Sequence, residues 1–274
     1  MNQDLQTRLI SGVAAGTLFL IAISYRTGFI MVFLLLGLIG LYEMQKILKK
    51  AKLPKGWLAP ILFSNIWALI RAISYALKPQ EGILTVGQFA IVTGLLYLLT
   101  SIFVLSKTRL KTHSQLALAT FAWPGWSFAL MIMYITADGL HKFPLFLGIL
   151  LLIWSSDITQ YFTGRKWGRQ PLAKSISPKK TMEGWLGGLA GITLISILNS
   201  LWIYPAISWA TWLAIGLVIW IFGTAGDLYE SVLKRSVGIK DSGAILPGHG
   251  GILDRFDSLV FAFPFVVIIL TIWP

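Results

Sequence analysis

The chain contains no cysteine, which excludes a disulfide framework, thiolate-held zinc or iron–sulfur centres and a cysteine nucleophile, and leaves the redox compartment open. Charge is scarce too. Only 12% of the 274 residues are charged, against about 25% in soluble domains, while 56% are hydrophobic, so most of the surface is not built for water and a soluble enzyme is excluded. Acid is scarcer than base: 11 Asp and Glu stand against 23 Lys and Arg, a net charge of +12 that would suit nucleic acid, anionic lipid or a phosphorylated substrate. Linkers rich in Pro, Gly or Ser, low-complexity tracts and transporter-like internal repeats are also missing. The chain reads as a single membrane domain over 1–274, with spans lacking a recognisable motif in 1–142 and the motif-bearing spans and loops, where a site is expected, in 143–274.

What the sequence does contain is long apolar runs. Windows of roughly 17–25 residues, enough to cross a ~30 Å hydrocarbon core, fall at approximately Leu9–Ser24, Gly28–Met44, Trp57–Leu77, Ile83–Leu105, Leu116–Thr136, Phe143–Phe162, Gly184–Ile203, Ala210–Tyr229 and Asp257–Trp273. These nine predict an all-α integral membrane protein. The first lacks a small-residue cleavage site, and Gly12 and Gly16 suit a helix-packing face, so it is kept as a span and no removable targeting segment is expected.

Basic residues near span ends stay cytoplasmic. With the N-terminus inside, the inner connections collect 19 of the 23 basic residues, leaving Arg26, Lys78 and Lys142 outside and Arg71 within the third span. This predicts a cytoplasmic N-terminus and an external C-terminus. Topology then accounts for most of the excess charge, which removes the ground for a nucleic-acid partner. The cluster Lys46–Lys55 reads as a topology determinant in contact with anionic membrane lipid.

The acids are unevenly spread. Asp157, Glu183, Asp227, Glu230, Asp241, Asp254 and Asp257 all lie at or near inner-side ends of the last four spans. An ionisable side chain there is expensive unless it faces a hydrated cavity, a partner charge or a metal, so the clustering reads as a site. Asp157 is the sharpest case, set inside the apolar run Ile149–Phe162. On a continuing helix Asp227, Glu230, Ser231 and Lys234 fall at i, i+3, i+4 and i+7, two carboxylates, a hydroxyl and an ammonium along one face. Asp254 and Asp257 repeat the i, i+3 pairing. Carboxylates in this number, with no thiol and a single nearby His249, favour a hard cation such as Mg²⁺, with room for a second cation.

Two loops seek anions. Gly248, Gly250 and Gly251 permit a backbone nest for phosphate, reinforced by Lys234, Arg235, Lys240 and Arg255. In the other loop Gly168 through Ser175 approaches a phosphate-loop pattern and fails, because Ala173 occupies the second glycine position and no strand precedes it. Ser177, Lys179, Lys180 and Thr181 can grip phosphate at the start of the seventh span while Glu183 caps it or binds metal. Gly184, Gly187, Gly188 and Gly191 have the spacing of a close-packing helix face, and such glycine-rich faces leave room for a homodimer.

These residues resemble the signature of the CDP-diacylglycerol synthases (phosphatidate cytidylyltransferases): Ser231-x-x-Lys234-Arg235, Lys240-Asp241-x-Gly243, then Pro247-x-His249-Gly250-Gly251-x-x-Asp254-Arg255-x-Asp257. Ser177-Pro-Lys-Lys-Thr-x-Glu-Gly184 and Asp157-x-x-x-Tyr161-x-x-Gly164 are similar to two further blocks of that family, with Met182 and Gln160 departing from its usual tryptophan and alanine. The resemblance covers about the last 120 residues. It implies a membrane enzyme that joins phosphatidic acid and CTP into CDP-diacylglycerol with release of pyrophosphate and a divalent metal, in a plasma (inner) membrane with the site facing the cytoplasm that supplies CTP. It implies Asp227 and Asp254 as leading Mg²⁺ ligands, with Asp157, Glu183, Glu230 and Asp257 behind them. Lys179, Lys180, Lys234, Arg235, Lys240 and Arg255 would hold phosphates, tuned by Ser231 and His249.

Rival readings fit less well. A CDP-alcohol phosphatidyltransferase would need an Asp-Gly-x-x-Ala-Arg run, which is absent. A CTP-dependent polyprenol or phytol kinase shares the nucleotide and is the runner-up. An ion-coupled anion transporter predicts midplane polarity and repeat symmetry, whereas polarity here crowds the inner edge.

Overall fold

The computed structural model describes residues 16–77, 83–107, 109–137, 142–243 and 250–273. The helices are α1 (Arg26–Lys50), α2 (Lys55–Leu77), α3 (Ile83–Leu105), α4 (His113–Thr120), α5 (Gly125–Ile135), α6 (Phe143–Trp167), α7 (Met182–Leu198), α8 (Trp209–Val218), α9 (Thr224–Ser236) and α10 (Leu253–Ile272). A short antiparallel hairpin, β1 (Pro171–Ala173) and β2 (Ser177–Thr181), sits between α6 and α7. Residues 16–24 are also helical.

Among the described residues eight helical stretches are long and apolar enough to cross a membrane; α4 with α5, α7 with its terminal π turn, and α8 with α9 each make one. They coincide with the second to ninth predicted spans. Of the first, Leu9–Ser24, residues 16–24 are helical and residues 9–15 lie outside the described residues. The chain is an all-α integral membrane protein, and the hairpin is its only sheet among those residues. Large apolar side chains point outward, among them Phe63, Leu99 and Ile102, as a lipid-facing surface requires. Exposed Trp57, Trp167, Trp202, Trp209 and Trp273 stand at span ends, where an amphipathic ring suits the headgroup region.

Packing is aromatic at the centre: Phe29 and Phe33 of α1 stack at 4.3 Å and both meet the Phe146 ring edge-on at 5.0 and 5.1 Å. Where α6 and α7 meet, glycine replaces side chains. A Cβ on Gly184 would lie 2.8 Å from the Gln160 carbonyl oxygen, and one on Gly191 would lie 2.7 Å from that of Ser155. The glycine face of α7 is thus turned onto α6 of the same chain, which removes the ground for a homodimer through it.

The α4–α5 span is broken over residues 121–124. Its loosened backbone groups are taken up by one side chain of α2, the buried Asn65. The Asn65 amide donates to the carbonyls of Thr120 (3.2 Å) and Phe121 (2.9 Å), and its carbonyl oxygen accepts from Gly125 N–H (2.8 Å). A capping box of Thr112 and Gln115 starts α4, and Thr181 caps α7 by accepting from Gly184 N–H at 3.1 Å. A π turn, Ile219–Gly223, joins α8 to α9. Such a turn holds one residue more than an α turn and rotates the helix beyond it, here the one that carries Asp227.

Candidate active site

A cavity of about 570 Å³ opens where α6, β2 and the first turns of α7 and α10 meet the middle of the α8–α9 span. Four carboxylates and four cations line it. The acids are Asp157 of α6, Asp227 of α9, and Asp254 and Asp257 of α10; the cations are Arg165, Lys179, Lys180 and Arg255. Ile153, Trp154, Tyr161 and Trp185 supply an apolar wall. Trp185 is stacked on Trp220 at 3.9 Å, and the Trp220 indole N–H donates to the Trp185 carbonyl at 2.7 Å, which fixes that wall.

The hairpin brings Lys180 to Asp227, with Nζ 2.5 Å from Oδ2. Asp157 and Asp257 both lie within electrostatic reach of that pair. Asp257 Oδ1 accepts from Ser258 N–H at 2.6 Å. Thr181, Gly184 and Gln160 complete the polar lining. Four predicted acids and the two lysines of the Ser-Pro-Lys-Lys-Thr segment therefore line one cavity, although they come from α6, β2, α9 and α10.

Behind this wall is a second, drier network. Lys234, buried, donates to Glu230 Oε2 at 2.9 Å and to Asp254 Oδ1 at 2.5 Å. Glu230 is fully buried, and its Oε1 has no hydrogen-bond partner among the described residues. Asp254 Oδ2 accepts from Ser242 N–H (2.9 Å), Ser242 Oγ (3.0 Å) and Gly251 N–H (2.8 Å). The predicted single face of α9 is thus divided. Asp227 turns to the cavity with Ser231 Oγ 3.4 Å from its Oδ1, while Glu230 and Lys234 turn inward.

Beyond these groups, Glu183 accepts from the N–H groups of Arg169 (3.0 Å) and Gln170 (3.2 Å) and ties the hairpin to α7. Arg235 donates to the Ile239 carbonyl at 2.7 Å, closing the end of α9. Lys240 is exposed and Ser177 half-buried on β2, neither lining the cavity. Gly250 has φ +85°, a backbone that favours glycine. The expected nest is partly filled by the protein itself, because the Gly251 N–H goes to Asp254. His249 lies outside the described residues. Among the described residues no group of three His, Asp or Glu converges as a metal cage.

One residue central to this arrangement went unread in the sequence. Glu43 of α1 is completely buried and accepts from Ile252 N–H (3.0 Å), Leu253 N–H (2.9 Å) and Ser242 Oγ (3.0 Å). Its signal was present: a carboxylate between Tyr42 and Met44 in an apolar helix.

The sequence model of the cytidylyltransferase family matches residues 6–273, and so takes in the half of the chain where no motif was legible. A phosphatidate cytidylyltransferase of Bacillus subtilis (strain 168) is 34% identical over 277 residues, covering 98% of this chain and 99% of that protein. A phosphatidate cytidylyltransferase of Staphylococcus haemolyticus (strain JCSC1435) is 41% identical over 64% of this chain and 66% of its own length. One from Staphylococcus aureus (strain COL) is 38% identical over 77% of this chain and 81% of its own.

Proposed function

Because this chain belongs to the cytidylyltransferase family, we propose that it transfers the cytidylyl group of CTP to phosphatidic acid, forming CDP-diacylglycerol and pyrophosphate at the cytoplasmic face of the plasma membrane. The observation that carries this reading is the cavity itself, where four carboxylates and four cations adjoin an aromatic wall at a membrane-embedded site. Two polyanions must meet there, one of them attached to acyl chains.

The donor set fits a hard divalent cation. Asp157, Asp227 and Asp257 offer only oxygen, and all three line the cavity that also holds Lys180, paired with Asp227. Mg²⁺ would be held from among these acids, which do not converge as a ready-made cage among the described residues, with Asp254 beside them in the cavity lining and the buried Glu230 behind it. When bound, the ion supplies neutralisation of nucleotide phosphate charge.

Lys179, Lys180, Arg165 and Arg255 receive the phosphates, drawing the lipid phosphate and the triphosphate into line. An oxygen of the lipid phosphate forms the new bond to the α-phosphorus of CTP as the bond to the bridging oxygen of the β-phosphate breaks, and pyrophosphate leaves with that electron pair. Charge stabilisation by these cations replaces a protein nucleophile. Trp154, Tyr161 and Trp185 shield the lipid side from water. Thr181 holds the first turn of α7 so that Lys180 reaches Asp227, and Ser231 orients Asp227.

The test is turnover by purified protein given phosphatidic acid, Mg²⁺ and CTP labelled at either the α- or the γ-phosphate. The α-label should pass into chloroform-soluble lipid, EDTA should stop it, and Asp227→Asn should abolish it while leaving membrane insertion intact. Transfer of the γ-label to an isoprenoid alcohol, with none from the α position to phosphatidic acid, would refute the reading.

A further inference from the structure

We propose that Glu43, in the part of the chain without a recognisable motif, is the positioning residue of the reaction site. It holds Ser242, Ile252 and the first turn of α10 in the register that presents Asp254, Arg255 and Asp257 to the cavity. This inference rests on the reading of that cavity as the site of cytidylyl transfer.

The argument begins with the amides. The first N–H groups of a helix have no partner within it and concentrate positive potential. At the start of α10 those of Ile252, the residue before the helix, and Leu253, its first, are both taken by the Glu43 carboxylate, which comes from a helix about two hundred residues away in sequence. The same carboxylate holds Ser242 Oγ, and Ser242 in turn holds Asp254 through both its N–H and its hydroxyl. Asp254 then holds Lys234. One buried side chain thus fixes the origin of α10 and, through Ser242, the rotamer of the acid on its first turn.

Two glycines of the signature are explained by the same contact. A Cβ on Gly243 would meet Glu43 first, whose Oε1, Cδ and Cγ are the three atoms nearest to it, with Cδ at 2.9 Å. A Cβ on Gly251 would come within 2.6 Å of both Glu43 oxygens and would also strike Ser242 Oγ. Gly243 and Gly251 accordingly form a socket for a carboxylate of this protein, and the amides of 252 and 253 are not available to a substrate phosphate.

The test uses the full chain in detergent, with hydrogen–deuterium exchange over residues 240–256 and turnover measured together. Glu43→Gln keeps the volume but turns one acceptor into a donor facing donors. It should raise exchange at Ile252 and Leu253 at least tenfold and lower kcat at least tenfold, with KM for CTP within about threefold because Lys179, Lys180 and Arg165 are untouched. Gly243→Ala should reproduce both effects, and Glu43→Asp/Gly243→Ala should exceed Gly243→Ala alone in turnover, since aspartate withdraws the carboxylate by ~1.5 Å. Exchange unchanged in Glu43→Gln overturns the proposal, whatever turnover does. If Glu43→Gln does not fold, wild-type exchange and turnover in Gly243→Ala overturn it instead, as does a double variant no better than Gly243→Ala. An inactive wild type would strike the reading of the cavity, while the exchange measurements would still decide the role of Glu43.

Discussion

Replacing Lys234 with methionine tests whether the buried network behind the cavity is held by charge. Its ammonium lies 2.9 Å from Glu230 and 2.5 Å from Asp254, with side-chain exposures of 11% for the lysine, 0% for Glu230 and 12% for Asp254. At an effective dielectric of ~20 each pair attracts by roughly 6 kcal/mol before desolvation is counted. Most of that is offset by removing three charges from water. Deleting the lysine removes the attraction but leaves the desolvation, together with two carboxylates facing one another, and breaking a buried pair in this way costs about 3–5 kcal/mol. In thermal unfolding of the detergent-solubilised protein this corresponds to a loss on the order of 10 °C. The diagnostic variant is Lys234→Met/Glu230→Gln/Asp254→Asn, in which no charge remains: it should return to within about 1 kcal/mol of wild type, because neutral replacement of a buried ionic group is often without net effect. A single variant within about 1 kcal/mol of wild type, or a triple variant no more stable than the single, would refute the reasoning.

The Lys180–Asp227 pair is a contrasting case. With side chains 27% and 32% exposed, its removal by Lys180→Gln should alter stability by no more than about 1 kcal/mol yet lower turnover by on the order of 10²-fold, if the ammonium stabilises transferred phosphate. Asp254→Asn should lose both stability and turnover, but less stability than Lys234→Met because Glu230 still balances the lysine; paired unfolding and turnover assays check this against Asp227→Asn, which should lose turnover alone. Gly191→Ala should push α7 from α6 at the Ser155 carbonyl and the Thr159 hydroxyl, lowering stability by about 1–3 kcal/mol in the same unfolding assay.

The spans and the acidic cluster were legible because lipid makes both conspicuous: an apolar run must be long enough to cross, and a carboxylate beside one needs a reason. Asp157, Asp227 and Asp257 meet in one cavity although separate helices carry them. The i, i+3, i+4, i+7 reading of α9 was too coarse. Positions three apart differ by about 60° around a helix, enough to send Glu230 inward and leave Asp227 on the cavity. The hairpin was illegible because β2 contains Pro178 and little hydrophobic alternation, as two exposed strands can. Glu43 was missed for another reason: Ser242, which it holds, lies 199 residues further on, and a single sequence carries no trace of such pairing beyond the oddity of an acid in a membrane helix.

The break between α4 and α5 bears on how the protein is made. A helix interrupted in hydrocarbon strands backbone groups that lipid cannot satisfy, and here the side chain that accommodates them belongs to α2, which leaves the ribosome before the break does. The order of synthesis therefore supplies the amide before it is needed. The α4–α5 segment, with 83% of its apolar window buried inside the protein, is a late guest in a bilayer already occupied by its host, and biogenesis should stall at this helix when Asn65 is replaced by leucine.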